Sequence, residues 1–385
     1  MRLSHISWTI FFAIVCAAGM IGVGVVAGIH IATTATRVAP PQSVPVQASS
    51  TDAYTPEIEE DHGVPSSTLL EVLGDANALA PVATSTVTSA TQYVLLSFDG
   101  SRSLQMWRDT IDFAREMRAQ GKPLSFTYYA SGVYFFPQSK KDVYHPPRHA
   151  TGTSMIGYAT DEEDVAKRIT IMNEAIADGH EIGSHVNGHF NGSTWTESEW
   201  KSEFDQFKTF LTQSGALRLP GGLFYGYRAP ELGRNPAMYK VLAEEGYLYD
   251  ASGVRKPTDL PTRDANGIWE LALGKIPYAH TSSSILSMDY NFYVKQSGAR
   301  DVAKKGTPEW QKMYDDMLTS YRGYFDMNYN GPHAPVIIGH HFSTWNDGVY
   351  WEVMKTFASE VCGLPNVRCV TMHEYAQTLQ AAQQK

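Results

Sequence analysis

Two histidines four positions apart, His185 and His189, are the residues whose types and spacing most directly suggest chemistry. They follow the segment Gly-His-Glu-Ile-Gly-Ser, so a short apolar strand ends where the histidines begin. Neutral imidazoles are the commonest protein ligands for zinc-like ions, and two from one loop supply half of a tetrahedral shell. We therefore expect a metal site here, although such pairs also arise by chance and as structural residues.

Other predicted strands also end in polar side chains. Asp99, Arg228 and His340 each end or directly follow an apolar segment. Any one of them could be structural, as a helix cap, an ion-pair partner or a backbone-bonded histidine. In a barrel of parallel strands, however, the carboxyl ends of the strands share one edge, and active sites lie there. The sequence therefore predicts that these residues and the histidine pair form one site.

The elements that must position this site alternate between strand and helix. Thr160 with Glu163 is expected to start one helix as a capping box. Thr196 with Glu199 is expected to start the next helix in the same way. Repeated alternation predicts an α/β fold with a parallel sheet, closed or nearly closed into a barrel. The predicted strands are 93–98, 124–129, 180–184, 223–227, 247–251, 268–273, 336–340 and 367–371, and later helices are expected near 237–245, 309–325 and 350–360.

Composition limits the class of protein. The chain has 385 residues, of which 43% are hydrophobic, so it can bury a large core in one large domain or two ordinary ones. Its net charge is −9, and no cluster of lysine and arginine stands out. Binding to nucleic acid needs such a cluster, so we expect no nucleic-acid partner.

The N-terminal residues differ in composition from the rest of the chain. Residues 8–29 contain no Asp, Glu, Lys or Arg, and a helix of this length spans a hydrocarbon layer of about 30 Å. We interpret residues 1–32 as a membrane anchor or a long signal segment, with Arg2 kept inside. Residues 33–91, rich in Ala, Thr, Pro and Ser, are expected to form a flexible linker to a domain at 92–385.

The three cysteines support an exported domain. Cys16 lies in the apolar N-terminal segment, which leaves Cys362 and Cys369 as a plausible disulfide in an oxidising compartment. The alternative is two free, buried thiols, since cysteine is often a small core residue.

Five short motifs follow one another after residue 92. They are Ser97-Phe-Asp-Gly100, His185-Val-Asn-Gly-His189, Tyr227-Arg-Ala-Pro230, Tyr249-Asp250 and Ile337-Ile-Gly-His340. In this order they resemble the motifs of the polysaccharide deacetylases, carbohydrate esterase family four, which carry the NodB-like homology domain. The resemblance covers residues 92–385 and implies a distorted, incomplete (β/α)7-type barrel.

The resemblance also implies a metal cofactor. His185 and His189 would hold a divalent ion, with zinc expected and cobalt, nickel or manganese as alternatives. This chain has Gly100 where the family usually has a second, metal-binding aspartate. Either Asp99 remains the base and the metal keeps two protein ligands plus water, or Asp99 is the third ligand and another group is the base. A remote carboxylate is a further way to complete the shell. Asp250 and Asp289 are the candidates for that remote ligand.

The other roles implied by the resemblance are those of amide hydrolysis. Asp99 would be the general base, Arg228 would orient it, and His340 would protonate the leaving amine. The oxyanion would be held by the metal and by a backbone N–H in the loop after Arg228. Tyr227 and Pro230 would contact the substrate.

The expected function is metal-dependent removal of N-acetyl groups from a glycan outside the cytoplasm. Peptidoglycan, a chitin-like oligosaccharide and an exported polysaccharide are the candidate substrates. The alternative is a non-catalytic glycan-binding relative that lost activity with the second aspartate. In either case the chain would be anchored in the membrane, or secreted if the N-terminal segment is cleaved.

Overall fold

The computed structural model describes residues 91–384. The predicted anchor at 1–32 and, except for Thr91, the predicted linker at 33–91 lie outside the described residues. No helix within 91–384 is both long and apolar enough to cross a membrane.

Strands and helices alternate through most of the described chain. The strands are β1 Gln92–Asp99, β2 Thr127–Ala130, β3 Glu181–Ser184, β4 Gly226–Tyr227, β5 Tyr249–Asp250, β6 Val254–Arg255, β7 Thr262–Arg263, β8 Trp269–Glu270, β9 Leu273–Pro277, β10 Ser284–Leu286, β11 Val336–His341 and β12 Val367–Cys369. The helices are α1 Leu104–Ala119, α2 Glu162–Ala177, α3 Glu197–Thr212, α4 Pro236–Glu244, α5 Asp289–Ser297, α6 Pro308–Tyr329, α7 Trp345–Val361 and α8 Met372–Gln383.

The main sheet is open and almost entirely parallel. Its strand order is β11-β1-β2-β3-β4-β5-β8-β7, with β12 paired to the start of β1. Among the described strands of this sheet, only the β7–β8 pair is antiparallel. Within residues 91–384 no pairing joins the edge strands β7 and β11, so the sheet curls without closing. The predicted distorted, incomplete (β/α)7-type barrel is confirmed.

Alternate residues of β1 pack on opposite faces of this sheet. Val94, Leu96 and Phe98 belong to the core between the sheet and its helices. Leu95 packs inside the curl of the sheet with Trp269. This period of two follows from strand geometry and decides which side chain at each strand end faces the pocket.

Several local predictions need correction. The capping box at Thr196 and Glu199 is confirmed at the start of α3. The box predicted at Thr160 is wrong, because Asp161 is the N-cap and its side chain accepts a hydrogen bond from Asp164 N at 2.8 Å. Helices α5 and α8 and the small second sheet β10-β9-β6 were not predicted from the sequence.

The predicted disulfide between Cys362 and Cys369 is present. The two Cα atoms are 5.7 Å apart. The bond ties the end of α7 to β12, which pairs in register with the first residues of β1.

Candidate active site

Residues from the ends of several strands surround one pocket at the carboxyl edge of the main sheet. Its lining consists of Asp99, Gly100, Ser131, Ile156, His185, His189 and His341. Asp99 ends β1, Ser131 follows β2, and the two histidines follow β3. The structure thus brings the predicted aspartate and histidine pair together.

The two histidines lie close together in a buried part of the pocket. Their ring centroids are 5.2 Å apart. His185 Nδ1 lies 2.7 Å from the carbonyl oxygen of Arg228, a contact that assigns the ring proton to Nδ1 and the lone pair to Nε2. Burial lowers the pKa of His185 to about 4, although Asp99 opposes this shift. At neutral pH its imidazole is therefore neutral, as a metal ligand must be.

Asp99 and Arg228 form a buried ion pair behind the pocket. Arg228 Nη1 donates to Asp99 Oδ1 at 2.8 Å and to Ser97 Oγ at 2.9 Å. The guanidinium carbon also lies 4.5 Å from the ring centroid of Tyr129. These contacts hold the guanidinium in one orientation, and through it the carboxylate.

The histidine of β11 that reaches the pocket is His341, not the predicted His340. Adjacent residues of a strand face opposite sides, and His340 pairs in register with Phe98, which faces the helices. His340 Nε2 lies 3.0 Å from the Tyr321 hydroxyl, away from the pocket. Burial lowers the pKa of His340 to about 4, so at neutral pH it carries no second proton to donate.

His341 is held by the buried carboxylate of Asp289. His341 Nδ1 lies 2.7 Å from Asp289 Oδ1, and the His341 backbone N–H donates to Oδ2 at 2.9 Å. Burial alone would raise the pKa of Asp289, but His341 and His340 lower it overall. Asp289 is therefore an anion held against the His341 imidazole, the arrangement of a histidine that can take part in proton transfer.

The predicted substrate contacts do not lie in the pocket. Tyr227 is fully buried on the helix side of the sheet, with Phe204 at a ring-centroid distance of 5.0 Å. Arg228 takes the inward face, so its neighbour on the strand must face outward. Pro230 is buried at the start of a short 3-10 turn and is not among the lining residues. The Ala229 N–H, a candidate oxyanion donor, is already bonded to Ser252 Oγ at 2.7 Å.

The candidate donors for a divalent ion in this pocket are the two imidazoles that follow β3. Within residues 91–384 no group of three or more His, Cys, Asp or Glu side chains is arranged to hold a metal ion. Asp250 bonds to the backbone of Ser252, and Asp289 bonds to His341, so neither adds a donor beside the histidines. Asp99 is the carboxylate that shares their pocket.

Four residues of the site were not assigned their place in it from the sequence. Ser131, Ile156 and His341 line the pocket, and Asp289 supports His341. Ser131 directly follows β2, so the rule that strand ends carry the site could have found it. Asp289 was considered only as a metal ligand, and Ile156 carries no chemical signal in the sequence.

No protein-family model matches this chain, and no curated protein matches it. The solved structures to which the chain is similar include polysaccharide deacetylases and members of carbohydrate esterase family four. One is a protein from Mycobacterium smegmatis assigned as a polysaccharide deacetylase, with 15% identity, a TM-score of 0.49, and coverage of 79% of this chain and 96% of that one. The chitin deacetylase of the fungal pathogen Colletotrichum lindemuthianum has 13% identity, a TM-score of 0.43, and coverage of 77% and 90%. A family-four pseudoenzyme from Bacillus anthracis has 9% identity, a TM-score of 0.40, and coverage of 78% and 69%.

Proposed function

We propose that this chain is a metal-dependent hydrolase that removes N-acetyl groups from a glycan such as peptidoglycan, chitin-like oligosaccharide or an exported polysaccharide. The observation that carries the proposal is the meeting of Asp99, His185, His189 and His341 in one pocket. A divalent ion on the two histidines, zinc as the first choice, would polarise the amide carbonyl and lower the pKa of a bound water.

The chain's own residues would supply the proton transfers. Asp99 accepts the proton of the attacking water, while Arg228 holds its Oδ1 and leaves Oδ2 as the oxygen that we assign to this proton. His341 then gives a proton to the leaving amine. Asp289 stabilises the charged imidazole and keeps Nδ1 occupied, so that Nε2 carries the transferable proton. An amine leaves readily once it is protonated, which is why an amide substrate suits this pair of groups.

We assign the domain to the cell surface or the periplasm, anchored through residues 1–32 or secreted after their removal. The Cys362–Cys369 disulfide supports this location, because disulfides persist in oxidising compartments.

The second candidate is a glycan-binding relative without activity. The absence of a three-donor group within residues 91–384 favours it, since a two-histidine shell binds a metal more weakly than a complete one. In that case glycan would bind without releasing acetate.

Metal analysis and acetate release test the proposal on the full-length chain purified in detergent. We expect bound zinc, and acetate release from N-acetylglucosamine oligomers or peptidoglycan that stops with a chelator and returns with zinc. Asp99→Asn should lower kcat by at least about 100-fold while retaining zinc, because the variant loses the base but not the histidines. Loss of zinc from this variant would make Asp99 a ligand instead. A wild-type chain with neither metal nor acetate release would contradict the enzyme proposal.

A further inference from the structure

The segment that carries both pocket histidines has an unfavourable backbone. We call residues 185–189 the histidine loop. Val186 has φ of 45° and His189 has φ of 61°, both in the left-handed region that non-glycine residues seldom adopt. A β-branched residue such as Val186 is disfavoured there most of all. Such conformations persist only where the surroundings enforce them.

Two buried side chains from distant parts of the chain bond directly to this loop. The Asn187 N–H donates to Glu203 Oε1 at 3.1 Å, and the Gly188 N–H donates to the Tyr144 hydroxyl oxygen at 3.0 Å. The Tyr144 hydroxyl in turn donates to Glu203 Oε1 at 2.8 Å. The Asn187 side chain completes the set by donating from Nδ2 to the Glu203 carbonyl oxygen at 2.9 Å. Each interior N–H between the two left-handed residues thus has a specific acceptor.

Packing around these bonds allows little movement. Tyr144, Asn187 and Glu203 are all completely buried. A Cβ at position 188 would lie 2.6 Å from Tyr144 Cε1, so the loop approaches the ring as closely as glycine permits. At position 132 a Cβ would lie 2.1 Å from Asn187 Oδ1, so a second glycine makes room for the Asn187 side chain.

We propose that Tyr144 and Glu203 are positioning residues that set the backbone of the histidine loop and thereby the relative placement of His185 and His189. Neither residue lines the pocket, and both act through Asn187 and Gly188. The inference rests on the proposed function in one respect, that the histidines hold a metal. The restraint of the loop by these hydrogen bonds needs no metal, so it can be measured in the metal-free chain.

Glutamine is a conservative replacement for Glu203, because it has the same shape and no charge. Burial raises the pKa of Glu203 to about 7, so a large share of the side chain is an uncharged acid near neutral pH. Glu203→Gln keeps an oxygen acceptor of the same shape for Asn187 N–H and Tyr144 hydroxyl. Glu203→Leu removes the acceptor at similar volume. The chain also offers a matched control for Tyr144, because the buried Tyr158 hydroxyl has no hydrogen-bond partner within residues 91–384.

The first measurement is amide hydrogen exchange of the metal-free, full-length chain in detergent. In Tyr144→Phe we expect the Gly188 amide to exchange at least about tenfold faster, because it loses its acceptor while the ring remains. Glu203→Leu should accelerate Asn187 as well. Tyr158→Phe and Glu203→Gln should leave both amides close to wild type. An unchanged exchange rate of the Gly188 amide in Tyr144→Phe would overturn the proposal that Tyr144 restrains the loop.

The second measurement is the zinc affinity of the same variants by titration calorimetry, with their melting temperatures recorded. Removing an outer residue that orients metal ligands typically lowers affinity by roughly 10–100-fold, and we expect this for Tyr144→Phe. Tyr158→Phe and Glu203→Gln should bind as wild type does. Equal zinc affinity in Tyr144→Phe and wild type would overturn the inference alone. A wild-type chain that binds no zinc would overturn the proposed function, and with it the metal-placing role.

Discussion

The two walls of the pocket hold their side chains by different means. Asp99 and His341 are register partners on β1 and β11, so ordinary ladder hydrogen bonds fix their backbone. The histidine loop lies beyond the end of β3 with two left-handed residues and depends on Tyr144 and Glu203. The wall formed by Asp99 and His341, the strand-borne wall, is therefore positioned by neighbouring strands of the sheet. The wall formed by the histidine loop, the loop-borne wall, is positioned by side chains outside the loop, 16 and 44 positions from the residues they bond.

The largest effect is expected on the strand-borne wall, at the adjacent histidines His340 and His341 of β11. His341→Gln should lower kcat for acetate release by at least about 100-fold, because it removes the group assigned to protonate the amine. His340→Gln is the matched variant one residue away. The folded fraction of this variant should retain most of the wild-type kcat. Steady-state kinetics, with melting temperatures for both variants, measure the contrast. The reverse ranking would return the catalytic role to His340.

The next effect concerns the charge behind His341. Asp289→Asn preserves the shape of the side chain but removes the negative charge that favours a protonated imidazole. We expect kcat to fall by about tenfold, with the alkaline limb of the pH profile moved to lower pH. Zinc affinity should not change, because Asp289 bonds to His341 and the proposed zinc ligands lie on the histidine loop. A profile that keeps its shape would mean that Asp289 supports only the fold.

The smallest effect is expected on the loop-borne wall and is one of stability. Burial raises the pKa of Glu203 from its ordinary 4.5 to about 7. Between these two pH values the folded chain therefore binds a proton that the unfolded chain has released. The free energy of unfolding falls as the pH rises from 4.5 to about 7. Glu203→Gln should reduce this loss between pH 5 and about 7.5, which denaturant unfolding at several pH values measures. An identical slope in both proteins would show that Glu203 is already ionised when buried.

The sequence predicted the fold better than the details of the site. Apolar runs identified main strands such as β1 and β11 because these strands are buried on both faces. The helix α5 was missed because its N-cap, Met288, makes no side-chain capping bond that a sequence pattern could indicate. By contrast, α8 is preceded by the N-cap Thr371, with Glu374 three residues later, and this pattern does indicate a helix start.

Within the site, prediction failed where strand register decides the outcome. Adjacent histidines at 340 and 341 differ in the face they occupy, and only the pairing of Asp99 with His341 identifies the one in the pocket. The same period of two turns Tyr227 to the helix side of the sheet and Arg228 to the side of Asp99. Tyr144 and Glu203, separated by 59 positions, meet only through packing, so no local pattern could have connected them.

The position of β1 has a mechanical consequence. It is the first strand of the described chain, yet it lies inside the sheet between β11 and β2, with β12 along its first residues. Tension arriving from the preceding residues would load these hydrogen bonds together in shear, instead of peeling them one by one from an edge. The disulfide from Cys369, the register partner of Val94, reinforces the same end. Asp99 lies at the opposite end of the strand, so the pocket is remote from the point where such a load enters.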